Sequence, residues 1–73
     1  MNSLEKLVYM ANQIARNLET EGEKAADTAA AHIVAFWDPR MKIMILSHLD
    51  AGGEGLSPAA RAALGKVRAA AHA

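Results

Sequence analysis

FWDPRMK, residues Phe36–Lys42, is the stretch in which two large rings run straight into an aspartate, a proline and an arginine. The residue before a proline is pushed out of helical angles, so a helix arriving from the N-terminal side stops near Trp37. Asp38 is a favoured cap and Pro39 a favoured first helical residue, so a new helix starts at once. The heptad reads as a corner between two helices, and the rest of the pattern follows outward from it.

Upstream, EKAADTAAAHIVAFW reads as the helix that ends at the corner, over about residues 24–37. Its apolar face is Ala26, Ala29, Ala30, Ile33, Val34 and Trp37, small at the first end and bulky at the last. Glu23 and Asp27 sit early, where the helix dipole favours acids. Further upstream, Leu4, Leu7, Val8, Ala11, Ile14, Ala15 and Leu18 recur at spacings of three and four, the stripe of an amphipathic helix over about residues 4–19. Tyr9 and Met10 lie beside that stripe. Asn2 with Glu5 has capping-box spacing, and the helix is expected to end within Glu19–Gly22, with Gly22 as its stop.

Downstream, the third helix runs over about 39–50, with Met41, Met44, Ile45, Leu46 and Leu49 as inward candidates. Ile43 broadens its apolar surface beyond one stripe. Ala51-Gly52-Gly53 ends it, and Ser57-Pro58 repeats the cap-then-proline start for a fourth helix over about 58–70. Ala60, Ala63, Leu64 and Val67 are its thin stripe, and the tail RAAAHA is expected to fray. No stretch alternates long enough to read as a strand. The expectation is an all-α fold: a small bundle of three to four helices joined by short turns, forming one domain over residues 1–73.

The totals limit what such a bundle can do. Of 73 residues, 38 are apolar, but 17 of those are alanine, leaving 21 larger side chains to build a core. A chain this short buries roughly 60% of its unfolded surface, so completing the core against a partner is as plausible as a stable lone fold. Cysteine is absent, which removes disulfides, thiolate chemistry and cysteine-ligated metal, and favours a reducing cytoplasm. Lys plus Arg equals Asp plus Glu at eight each, so there is no global basic field for nucleic acid. The charge is uneven, however: residues 1–36 carry five acids against three bases, and residues 37–73 the reverse. No window is long and apolar enough to span a membrane, and the N-terminal stretch lacks the regions of a signal peptide.

No catalytic centre is legible. The glycines of AGGEGLS form neither a Walker loop nor a dinucleotide fingerprint, and read as the end of one helix and the start of the next. His32, His48 and His72 share no ligand spacing with one another or with a carboxylate. His32 is placed to pair with the corner's acids, and His48 lies one turn before a helix end. Ser3, Ser47 and Ser57 read as caps or surface hydroxyls without a base. No catalytic residue, metal ligand or cofactor site is therefore expected.

The corner is where an interaction would lie. Phe36 and Trp37 are adjacent and point about 100° apart in a helix, so they cannot fill one core position. Trp37 is expected inside and Phe36 at least partly outside. Aromatic residues and arginine are enriched at interface centres, and Phe36, Arg40 and Met41 fall within six residues. Arg40 sits in a first helical turn, where the dipole does not favour a cation. Either Asp38 or a carboxylate or carbonyl of another subunit can compensate it.

At these residues the chain resembles a known family. The stretch Leu7, Val8, Met10, Ala11, Asn12, Gln13, Ile14, Ala15, the run FWDPRM at Phe36–Met41, the helix closed by Ala51-Gly52-Gly53, and then Leu56 and Pro58 are similar to the delta subunit of cytoplasmic, NAD-dependent, molybdenum-containing formate dehydrogenases. The likeness covers about residues 4–68. It implies a cofactor-free, non-catalytic accessory subunit that accompanies the molybdenum-containing catalytic subunit and supports assembly, stability or maturation. On that reading the contact candidates are Phe36, Trp37, Asp38, Pro39, Arg40 and Met41, with Asn12 and Gln13 second, since adjacent amides can bond main chain across an interface. The rivals are a free-standing homodimeric helical protein and, more remotely, a DNA-binding helix-turn-helix, whose third helix would offer hydrophobes where bases need polar groups.

Overall fold

The structure is a computed structural model and describes residues 2–71. It is an all-α bundle of four helices joined by short turns: α1 (Ser3–Asn17), α2 (Ala25–Phe36), α3 (Pro39–Asp50) and α4 (Pro58–Ala71). A 3-10 segment, Glu19–Lys24, links α1 to α2, and there is no strand among the described residues.

The starts are set by local chemistry. Asn2 Oδ1 accepts from Glu5 N at 2.8 Å to open α1, Asp38 Oδ1 accepts from Met41 N at 2.9 Å to open α3, and Ser57 Oγ accepts from Ala60 N at 3.1 Å to open α4. Each satisfies an amide that has no partner within its helix. α3 has the bounds expected from its sequence, and α4 stays helical to Ala71 rather than fraying from Arg68. His72 lies outside the described residues. Arg68 gives the last turns their hold, donating to Leu46 O at 3.0 Å and pairing with Asp50.

α1 ends earlier than its pattern suggests, at Asn17 rather than within Glu19–Gly22. Extending it would place Glu19 and Glu21 at the negative end of the helix dipole and stack Glu19 one turn from Glu23. Instead Leu18 turns its N–H to Ala15 O, and the chain tightens into 3-10 turns. Gly22, at φ 63° and ψ −127°, does not stop α1 but kinks this connection.

The core closes within the chain. Leu7, Ala11, Ala15, Ala30, Ile33, Trp37, Ile45, Leu46, Leu56, Ala60, Leu64 and Val67 form one buried cluster, against which Leu4, Val8, Ile14, Met41, Met44 and Leu49 pack. The most extensive helix contact is between α2 and α4, the two helices that bury most of the alanines, so small side chains let the backbones approach. Val34, expected on the inner face, is instead exposed, because it lies about 100° around α2 from Ile33. The Cα radius of gyration is 11.0 Å, matching the roughly 11 Å of a compact chain of this length. The fold does not leave its core open for a partner to complete.

Candidate functional site: the corner and the band around it

The corner divides into an inner and an outer half. Trp37 adopts extended angles (φ −82°, ψ 136°) and turns its ring inward, leaving 4% of the residue exposed. Asp38 spends an oxygen on the cap, Pro39 occupies the first helical position, and Met41 is half-buried against the core. These four build the turn. Phe36 and Arg40 look outward. Phe36 is 74% exposed and touches the His32 ring at 4.7 Å between centroids, with the planes 38° apart. His32 therefore meets an aromatic ring, not the corner's acids. Arg40 is exposed and makes no ion pair or hydrogen bond among the described residues; Asp38 turns to its cap instead of compensating the guanidinium.

The amides of α1 go separate ways. Asn12 Nδ2 donates to Gly55 O at 2.9 Å, and its Oδ1 accepts from Ser57 N at 2.9 Å. It is thus a clamp on the connection between α3 and α4. His48 and Arg61 complete that clamp: His48 Nε2 lies 2.7 Å from Glu54 O, and Arg61 donates to Gly53 O and Leu56 O. Since a carbonyl only accepts, the His48 contact requires the proton on Nε2. Four successive carbonyls, Gly53 to Leu56, are each held by a side chain from elsewhere. Gly53, at φ 65°, is needed there, because an added Cβ would also lie 3.1 Å from Arg61 Nη1. The loop therefore serves the fold, and Asn12 is taken up by it. Gln13 is half-buried and lines a cleft with Arg16, Glu19, Ser57 and Pro58.

Around the start of α3, three open depressions adjoin. One is an apolar groove between Val34, Pro39, Ile43, Leu46, Val67 and Ala70, with Lys42 at its edge. A second, lined by Asp38, Pro39, Arg40 and Ile43, shares Pro39 and Ile43 with the first. The third lies between α1 and α3, where Lys6, Met10, Met41 and Met44 meet Asp38 and Arg40. Together they make a continuous band from the last turns of α2 and α4, over Pro39 and Ile43, to α1. Ile43 is 70% exposed on its ridge, and Val34 and Met10 are exposed on either side.

Sequence reading found the centre of this band but not its width. Ile43 stood out as an apolar residue off the stripe, whereas Val34, Lys42, Lys6 and Met10 become neighbours only through packing. Among the described residues, no group of three or more His, Asp or Glu side chains is placed to hold a metal ion, and no helix is long and apolar enough to cross a membrane.

Compared with known proteins, residues 6–64 match the profile of a family described as "NADH-dependant formate dehydrogenase delta subunit FdsD". No curated protein and no solved structure matches the chain at the level required. The matched region contains the N-terminal stripe from Leu7 onward, the whole corner and the clamped loop.

Proposed function

Because the chain belongs to the family of NADH-dependent formate dehydrogenase delta subunits, we propose that it is a non-catalytic accessory subunit. On this reading it docks on the molybdenum-containing catalytic subunit of the dehydrogenase, supports its assembly, stability or maturation, and holds no cofactor itself. The cytoplasm is its place of action, in keeping with a chain that has no cysteine to oxidise.

One observation carries the reading: within a turn otherwise devoted to the fold, Phe36 and Arg40 face outward, Phe36 touching only the exposed His32 ring and Arg40 making no bond among the described residues. Aromatic rings and guanidinium groups are the side chains that most often anchor an interface. The docking surface is therefore Phe36, Arg40 and the band beside them. Pro39 contributes its surface, while Trp37, Asp38 and Met41 hold the geometry from behind.

Arg40→Ala tests this. An anchor of this type is worth more than about 1 kcal/mol, so truncation should weaken binding to the catalytic subunit at least roughly five-fold. An exposed side chain without partners should shift the melting of the isolated chain by less than about 0.5 kcal/mol. Equal losses in both measurements would assign the arginine to the fold and overturn the docking role.

A further inference from the structure

The band is cationic in a chain that is neutral overall. Its lining residues include Lys6, Arg40 and Lys42 and a single carboxylate, Asp38, whose Oδ1 is already bonded to Met41 N. The ion pairs among the described residues lie elsewhere, Lys66 with Asp27 and Arg68 with Asp50. Lys42 has only a long contact to Val34 O, at 3.4 Å, so its charge remains without a carboxylate. An apolar ridge of Pro39 and Ile43, bordered by three cations that form no ion pair and face one carboxylate, is complementary to an apolar projection bordered by acids.

Resting on the docking reading above, we propose that the surface meeting this band is acidic: an apolar projection of the catalytic subunit seats over Pro39 and Ile43, and its flanking carboxylates reach Arg40, Lys42 and Lys6. A second copy of the chain fits less well. A two-fold dimer through this patch would set the same cations against each other, since both partners present one surface. The chain's own acidic cluster, Glu19, Glu21, Glu23 and Asp27, lies toward the other end of α2, roughly 18 Å away for twelve residues. An anionic lipid surface fits less well also, because the apolar side chains line depressions between helix ends and do not form one amphipathic stripe.

The test measures association of the full chain with formate dehydrogenase complex purified without its delta subunit, at 50 and 300 mM NaCl. Steering by unpaired charges should lower the association rate about ten-fold over that range. Arg40→Glu with Lys42→Glu should lower it at least about ten-fold at 50 mM, while Lys24→Glu, at the far end of α2, should leave it within about two-fold. Circular dichroism checks that each variant stays folded. If Ile43→Ser abolishes binding while salt and the double reversal do not, the docking reading stands and the acidic surface is refuted. Absence of wild-type binding at either salt would remove both. Doubling of the molar mass at 50 mM, or tighter binding to phosphatidylglycerol vesicles than to the complex, would also overturn the proposal.

Discussion

Asn12→Ala separates a residue that builds the fold from one that meets a partner. The substitution removes two hydrogen bonds at once, the donation to Gly55 O and the acceptance from Ser57 N, each 2.9 Å. Gly55 O is exposed and water can replace the lost donor, so that bond accounts for about 1 kcal/mol. Ser57 N is partly buried at the start of α4, where an orphaned amide costs about 1–2 kcal/mol. The sum is about 2–3 kcal/mol, against a total of about 4–11 kcal/mol for a chain of this size. In a thermal melt followed by circular dichroism, that corresponds to a fall of roughly 8–24 °C. Asn12→Asp keeps the acceptor for Ser57 N and loses the donor to Gly55 O, so it should fall between wild type and Asn12→Ala. A melt within about 0.5 kcal/mol of wild type, combined with lost binding to the catalytic subunit, would refute the clamp and return the amide to the interface.

Two further perturbations probe the packing. Gly65 lies exposed inside α4, and a Cβ placed there meets nothing within 4 Å. Gly65→Ala should therefore stabilise the chain by about 0.5–1 kcal/mol, read as a higher melting temperature, and a lower one would mean the helix needs that gap. The two rings of the corner should behave oppositely. Trp37→Ala opens the core and should cost about 3–5 kcal/mol, a large share of the chain's stability, whereas Phe36→Ala should change the melt by less than about 0.5 kcal/mol and act on binding to the catalytic subunit. Comparable melting losses for both would contradict the inner and outer division of the turn.

What was legible in the sequence was mostly local. Asp38-Pro39 and Ser57-Pro58 announce two helix starts, because a capping oxygen and a fixed proline φ act within one turn. The stripes of α1 and α4 are also visible, since the periodicity of burial is the periodicity of the helix. The end of α1 was not. Gly22 advertises a stop, but the acids before it had already made the next helical turn unfavourable. The clamp was invisible for a different reason: Asn12 and its two bonds are separated by 43 and 45 residues. A single amide beside a stripe carries no mark of such a partner. The band around Arg40 is of the same kind, because its members come from the ends of three helices and the side of α1.

The closed core changes what the exposed residues mean. Composition alone allowed that a chain with so many alanines would need its partner in order to fold. Here the alanines let α2 and α4 approach closely, Trp37 is buried in the core, and side-chain bonds from Asn12, His48 and Arg61 fix the connection between α3 and α4. Inserting Phe36 or Ile43 as well would overfill an interior already closed, and overpacking is itself destabilising. Their exposure is thus not an unfinished core. It follows from a turn that can bury one ring of an adjacent pair, and from an apolar residue standing off the stripe of α3. A surface left in that way, beside a guanidinium that makes no ion pair, is free to be selected for contact without altering how the chain folds. That independence is why binding and melting can be expected to respond to different residues.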